Sequence, residues 1–452
     1  MTATADLWPL FPDHIKQLQT RAERLCKREN LDLLAIHSGQ QKRWFLDDMN
    51  YPFRANPHFK AWCPETQLPN AWVIIKPETR PTLVLLNAPD FWHTTANLES
   101  EPWLEEFHVE HISSPEAIEK LLPYDKKNAA YLGEHIEVAK ALGFENINPD
   151  PVLHFFHYHR LFKTDYEIAC LAQANHIAAE GHIAAAEAFF KGDSEFDCLL
   201  NYMAATRQGQ NEVPYNHIIG QNKNASVLHH WLPDKKSQVS LKSMLVDAGA
   251  EVCGYAADIS RTWSAEHNEY EELIAALDQI TLALIDKMKP GMEFPVLHQL
   301  AHEQIANVLF AFGFVSCSPE QMIEDGITSV FFPHGLGHPL GLQVHDVGAA
   351  QADERGTPIP SPTGHLTLKT TRTVEPRQVY TIEPGIYFIE PLLQKLASSR
   401  NKHVINWKRV DEFRPFGGVR IEDNIVIYRE RNDNLTRQTS LDAYVKKVTR
   451  LA

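Results

Sequence analysis

Three stretches of this chain read as apolar strands, yet each carries a carboxylate where an unpaired charge would be costly to bury. Asp247 and Asp258 lie in SMLVDAGAEVCGYAADISRTW at 243–263, Glu383 in QVYTIEPGIYF at 378–388, and Glu422 in GGVRIEDNIVIY at 417–428. The fold must therefore compensate these charges. With His338 they make an ordered series of five donors, Asp247, Asp258, His338, Glu383 and Glu422, at intervals of 11, 80, 45 and 39 residues. Four carboxylates converging with one imidazole would repel one another strongly unless two divalent cations neutralised them. Carboxylate and imidazole donors suit Mn²⁺, Co²⁺ or Zn²⁺. Two such ions close together activate a water and clamp the oxygen of a carbonyl, so the series points to hydrolysis of an amide or a related ester.

Each segment also has its own reading. Residues 243–263 predict two strands with a Gly-containing reversal, bringing Asp247 and Asp258 side by side on one sheet face; taken singly, such an Asp pair is also what surface decoration looks like. FFPHGLGHPLGLQVHDVG at 331–348 is the densest histidine cluster of the chain. His334, His338 and His345 alternate there with Gly335, Gly337 and Gly341, so backbone and imidazoles can approach a common centre closely. Glu383 stands at the centre of an apolar strand ended by Pro384-Gly385. Arg420 and Glu422, two residues apart on a strand, face the same way; a buried Arg–Glu pair is the alternative.

The rest of the chain sets bounds. With 452 residues, two domains are expected rather than one core. Lys and Arg number 43 against 58 Asp and Glu, a formal net charge of −15, which argues against non-specific nucleic-acid binding. Six scattered cysteines without a CxxC pair predict reduced thiols in a cytoplasmic protein. Neither a long apolar run nor a basic segment leading an apolar core occurs, so no membrane span or signal peptide is expected.

Along the first 160 residues, Ile15, Leu18, Ala22 and Leu25 recur at helical spacing after Asp13, a candidate cap. Leu33–Ile36, residues 71–76, 82–86 and 129–132 read as strands. The aromatic stretch FLDDMNYPFRANPHFKAW at 45–62 predicts either a loop packed by its own rings or a segment that helps build a site. A boundary is expected near 160, giving domains 1–160 and 161–452. Thr164 with Glu167 matches a capping box before a long helix, and Ser194 with Asp197 caps another after Gly192. Helix, Pro290-Gly291 break and helix recur from Tyr270 to Phe312, a pattern suggesting internal duplication.

The phrases VDAGAEVCGYAADISRTW, FFPHGLGHPLGLQVHDVG, VYTIEPGIYF and FGGVRIEDNIV resemble those of the pita-bread metallopeptidases, and most closely the bacterial Xaa-Pro dipeptidase (prolidase) and organophosphorus acid anhydrolase group. The likeness extends to HSGQQKRWFLDDMNYPF, to DFWH at 90–93 and to FFHYHR at 155–160, covering essentially the whole chain. The resemblance implies an α/β (α+β) chain, with an N-terminal mixed-sheet creatinase-like domain and a C-terminal pita-bread domain built on a curved antiparallel sheet. It implies two divalent ions, Mn²⁺ foremost, with Asp247 on one, Asp258 and Glu422 bridging, and His338 and Glu383 completing the second. A hydroxide between the ions would attack an Xaa-Pro dipeptide and release proline, with Glu383 handling protons.

By the same resemblance, His229 and His345 polarise the carbonyl, His334 and Arg420 hold the substrate carboxylate, and Tyr215 lines the pocket. The family is usually homodimeric, the N-terminal domain of one subunit reaching over the other's site; Asp48 and Trp92 would contact the substrate from there. Lys369 stands where the family leads one to expect Arg, so its grip on the carboxylate would be a single contact rather than a fork. The resemblance leaves two other readings: aminopeptidase P-type cleavage of longer Xaa-Pro peptides, and a pita-bread domain serving only as a binding module. Organophosphate triesters would be side substrates.

Overall fold

The computed structural model describes residues 6–88, 92, 98 and 100–449. Asp90, Phe91 and His93 of the DFWH phrase lie outside them. The chain divides into two compact units. One comprises residues 1–170 with 252–255 and 353–357, the other 171–251, 256–352 and 358–452.

The first unit opens with the helix Phe11–Glu29, which starts earlier than its sequence pattern suggests: Leu10 occupies the cap position and Asp13 sits in the first turn. An acidic residue there still complements the helix dipole. Ile15, Ala22 and Leu25 are buried, as their spacing requires. A left-handed Asn30 ends the helix. Six strands follow: β1 (Leu33–His37), β2 (Trp72–Ile75), β3 (Thr82–Leu86), β4 (His108–Ile112), β5 (Ala129–Leu132) and β6 (Asn146–Ile147). They form one mixed sheet in the order β4-β3-β2-β1-β5-β6. β1 pairs antiparallel with β2 and parallel with β5. All five residues of β1 and all four of β2 are buried, which explains why these central strands read as unbroken apolar runs.

The aromatic stretch at 45–62 is not packed by its own rings throughout. Phe53, Phe59 and Trp62 are buried, but Phe45 and Leu46 are both 90% exposed, with Trp44, Met49 and Tyr51 also exposed. Arg43 and Asn50 form an antiparallel bridge that closes a hairpin with Phe45 and Leu46 at its turn and Asp48 on the returning arm.

The helix Asp165–Phe190, which starts in the first unit and continues into the second, begins with the expected capping box. Thr164 N donates to Glu167 Oε2 at 2.7 Å, and Glu167 N to Thr164 Oγ1 at 3.3 Å. Glu195–Thr206 follows, capped by Ser194. Then come β7 (Ile218–Gln221), β8 (Ser243–Ala248), the short β9 (Glu251–Val252) and β10 (Tyr255–Ala256), and β11 (Ile259–Ser264). β7, β8 and β11 make a three-stranded antiparallel sheet. The helices Glu269–Lys287 and Phe294–Ala311 precede β12 (Val379–Ile382), β13 (Gly385–Tyr387), β14 (Gly418–Arg420), β15 (Asp423–Ile427) and β16 (Asn432–Asn434). β12, β15 and β16 form a second antiparallel sheet, and β13 pairs with β14. The antiparallel Ser260–Glu422 bridge links β11 to the segment between β14 and β15. Helix pair followed by three-stranded sheet occurs twice, matching the repeat seen in the sequence. Leu277, Leu284, Leu297 and Ile305 from the second helix pair pack against Ile382, Ile386, Val419 and Ile425. Glu383 and Glu422 therefore sit at the ends of strands anchored in this core.

The segment around Glu383 differs from the single strand expected of it. β12 ends at Ile382 and β13 starts at Gly385 with a different partner, leaving Glu383 and Pro384 at the break. Proline cannot donate to a ladder, and the change of partner happens where it stands.

Candidate metal centre

β8 and β11 run antiparallel with Asp247 opposite Ser260, and Asp258 immediately precedes β11. The close approach needs Gly249, because a Cβ there would lie 2.0 Å from the Ala257 carbonyl oxygen. The Tyr215 hydroxyl lies 2.9 Å from Asp247 Oδ1 and 2.7 Å from Asp258 Oδ1, tying both carboxylates to one point. Asn424 on β15 accepts from Asp258 N at 3.0 Å and donates to its carbonyl, fixing the backbone that carries the carboxylate.

Glu422 arrives through its bridge to Ser260, whose hydroxyl donates to Glu422 Oε2 at 2.8 Å. His338 and Glu383 come from the other side. Thr381 N donates to the His338 carbonyl at 2.9 Å and Glu383 N to that of Leu336 at 2.8 Å, so the Gly-rich segment lies along the end of β12. Gly337 permits this, since a Cβ on it would meet the Thr381 carbonyl oxygen at 2.0 Å. His338 Nδ1 is 3.1 Å from the Pro339 carbonyl and takes the donor role there. Its Nε2 then faces Asp258 Oδ2 at 3.4 Å and Glu383 Oε1 at 3.6 Å.

Asp258, His338 and Glu422 thus present donor atoms that all lie within 4.8 Å of one another. Electrostatics shows what this centre demands. Burial pushes the Glu383 carboxyl up to about 7 against the pull of His338 and Arg420, with Asp258 and Asp247 adding to the rise. Burial likewise raises Asp247 to about 6 despite Arg420, and it raises Glu422 well above the carboxylate range, helped by the charges of Asp258, Glu383 and Asp247. Burial alone would depress the His338 imidazole, but the Asp258 hydrogen bond and the Glu383 and Asp258 charges outweigh it and push it up to about 9. Everything here favours added positive charge. The donor chemistry, the spacing and an imidazole oriented by a backbone carbonyl fit divalent cations.

The remaining expected residues fall in three groups. Arg420, His334 and His345 are part of the centre. Arg420 is buried, with Nη2 2.5 Å from Asp247 Oδ2, Nη1 donating to the Tyr387 hydroxyl at 2.9 Å and Nε to Ser260 Oγ at 2.9 Å. It pairs with Asp247, not with Glu422. His334 Nε2 lies 2.8 Å from the same Tyr387 hydroxyl and its Nδ1 2.8 Å from the Gly335 carbonyl, a neutral tautomer that burial and Arg420 reinforce by pushing the ring down to about 3. His345 stands edge-on to His338 with ring centroids 4.2 Å apart, and the His338 charge, then burial, lowers it to about 4.

His229 and Lys369 belong to the same unit but are exposed. His229 stacks on Trp231 and is near enough to His345 for its charge to depress that ring. Asp48 and Trp92 belong to the first unit, and both are exposed, Trp92 at 78%.

Ser260, Tyr387 and Asn424 are the organising residues that sequence reading missed. Ser260 is two residues after Asp258, the same-face position of an extended chain, but a hydroxyl there is ordinary, and Tyr387 lies beyond the break at Glu383-Pro384.

Residues 9–158 match the family described as Xaa-Pro dipeptidase, N-terminal domain, and residues 169–429 match metallopeptidase family M24. The chain is 92% identical over 452 residues to Xaa-Pro dipeptidase 1 of Idiomarina loihiensis, covering all of both sequences. It is 50% identical over 437 residues to a Xaa-Pro dipeptidase of Pseudoalteromonas atlantica, covering 96% of this chain and 99% of that one. Among solved structures, aminopeptidase P from E. coli superposes with a TM-score of 0.71 at 24% identity, covering 94% of this chain and 95% of that one. Proline aminopeptidase P II from Yersinia pestis gives 0.69 at 24% identity, with 97% of both chains covered. Fold and site together define a metallopeptidase. The chain belongs to metallopeptidase family M24, with the N-terminal domain of the Xaa-Pro dipeptidases.

Proposed function

We propose that this protein hydrolyses Xaa-Pro dipeptides with the help of two divalent ions, Mn²⁺ foremost. The observation that carries the reading is the convergence of Asp258, His338 and Glu422, flanked by Asp247 and Glu383, in a chain 92% identical to a Xaa-Pro dipeptidase along its whole length. When bound, the ions supply a Lewis acid for the scissile carbonyl and an activated water. The protein residues do the rest. Glu383, at the break between β12 and β13, takes and returns the water's proton. His345 and His229 donate toward the oxygen on which charge develops. His334 and Arg420 hold the terminal carboxylate, with Lys369 adding a point charge and Tyr215 keeping the Asp247–Asp258 pair aligned. Were Asp247 to hold a metal, Arg420 Nη2, which now meets its carboxylate, would be released toward the substrate.

Proline favours this kind of site because its imide lacks an N–H for a general peptidase to bind. A carboxylate clamp beside the reacting bond then limits the substrate to two residues. The hairpin at 43–50, with its exposed apolar side chains and Asp48, suits a second subunit, and we assign Asp48 and Trp92 to a partner's site in a homodimer. Six cysteines that form no disulfide suit a reducing, cytoplasmic setting. Phosphotriesters fit the same ions as a side activity.

Comparing Leu-Pro with Leu-Pro-Pro on Mn²⁺-loaded protein tests the reading. Preferential cleavage of the dipeptide is expected. Preference for the tripeptide would instead assign an aminopeptidase P-type activity, and inertness toward both would leave a binding module.

A further inference from the structure

A second group of nitrogen donors lies apart from the carboxylates. His298 and His302 stand one turn apart on the helix Phe294–Ala311, each 1% exposed, and His365 meets them from the loop that follows residue 358. His298 Nε2 is 3.0 Å from His365 Nδ1 and 3.2 Å from His302 Nε2. One donor atom from each ring lies within 4.8 Å of the others. For tetrahedral Zn²⁺ with bonds of about 2.0–2.1 Å, neighbouring nitrogens are separated by about 3.3 Å. The observed edges are close to that figure.

The surroundings orient these rings inward. His302 Nδ1 is occupied by the Thr328 hydroxyl at 2.9 Å, which leaves Nε2 for the centre. His298 Nδ1 is buried with no hydrogen-bond partner, so the ring is held by its Nε2 side alone. Phe332 packs against both helix rings, at 5.7 and 5.0 Å between centroids, and supplies an apolar wall. Two histidines at i and i+4 on one helix face with a third from a distant loop is an arrangement that transition-metal sites use.

We propose that His298, His302 and His365 form a third metal site, taking one ion of the Zn²⁺, Co²⁺ or Ni²⁺ class and tying the loop at 358–373 to the helix. Three imidazoles without a carboxylate favour those ions over Mn²⁺, so the two kinds of site sort metals by donor chemistry. Burial and the neighbouring rings hold His298 down at about 2 and His302 at about 3, and burial lowers His365, so protons do not compete for these nitrogens at neutral pH. The tied loop carries Leu368, whose backbone and side chain lie against Gly335 in the histidine-rich segment.

The test uses full-length protein in which Asp258→Ala and Glu422→Ala disable the carboxylate centre. Chelator-stripped protein is loaded with Zn²⁺, freed of excess and analysed for metal, then reloaded with Co²⁺ for its visible spectrum. One Zn²⁺ per chain and a tetrahedral Co²⁺ spectrum are expected, with both lost on adding His365→Asn or His302→Asn. His365 is only half-buried on a loop, so its variant carries the test if the helix variants fail to fold, with circular dichroism showing that the fold is kept. No retained zinc, or zinc that persists in His365→Asn, would overturn the proposal and leave a hydrogen-bonded histidine cluster.

Discussion

Ser260 donates to Glu422 and accepts from Arg420 through one hydroxyl, so it holds an anion and a cation in fixed positions beside the centre. Partners of this kind are worth roughly 10–100-fold in metal affinity or activity. Ser260→Ala should therefore weaken metal binding or turnover by about that factor without unfolding the chain, as metal titration and melting would show. Lys369 offers a sharper test of substrate recognition. If it grips the substrate carboxylate, Lys369→Met raises KM for Leu-Pro and leaves kcat near the parent value, the signature of a lost uniform-binding contact. A change confined to kcat would remove Lys369 from substrate binding. The meeting of Asp258, His338 and Glu422 was foreshadowed in the sequence because a carboxylate in an apolar strand demands an explanation and His338 stands in a glycine-rich histidine cluster. Ser260 and Tyr387 were not, because a hydroxyl in a strand is ordinary and only its contacts reveal its use. The Arg420–Asp247 pairing was equally hidden, since the two residues meet only through strands 173 positions apart.

At the scale of elements, close backbone approaches decide whether the donors meet. Gly337→Ala places a methyl group 2.0 Å from the Thr381 carbonyl oxygen. Separating those segments should cost about 1–3 kcal/mol or more and displace His338; lowered stability together with weaker metal binding is the expected measurement. The loop carrying His229 is held by Glu195, which accepts from Gln221 N, Asn224 Nδ2, His230 Nε2 and Asp234 N. The Glu195 hydrogen bond raises the His230 imidazole above its usual value. Burial would raise Glu195, but its four donors, His230 first, hold it below the usual range. A raised His stabilises fully below its unfolded pKa and loses that stabilisation as pH rises through the folded one; a depressed Glu stabilises above its unfolded pKa and loses it as pH falls. The pair is therefore strongest between about pH 4.5 and 6.5. His230→Gln should cost about 1–2 kcal/mol in that window and less as pH rises above it, measured by denaturant unfolding. Capping boxes, apolar strands and helix breaks were readable because they are local. The start of the first helix and the break at Glu383-Pro384 were not, because tertiary packing and a change of strand partner set them.

For the molecule as a whole, the central point is that buried carboxylates are tolerable where cations join them. Metal binding to the folded state alone stabilises by about 4 kcal/mol when free metal is a thousandfold above its Kd. Chelator-stripped protein should accordingly melt lower than loaded protein, with the transition restored by Mn²⁺; equal melting temperatures would argue against a site coupled to folding. Length and the change from mixed strands to long helices predict a boundary near 160, whereas no composition change marks 252–255 and 353–357, which group with residues 1–170. The most direct measurement is a titration of Mn²⁺ into stripped protein, following bound metal and Leu-Pro hydrolysis together. Hydrolysis should appear as two ions bind per chain, and Asp258→Ala should lose both metal and activity. Full hydrolysis without metal, or an Asp258→Ala protein that keeps its metal and its rate, would contradict the account.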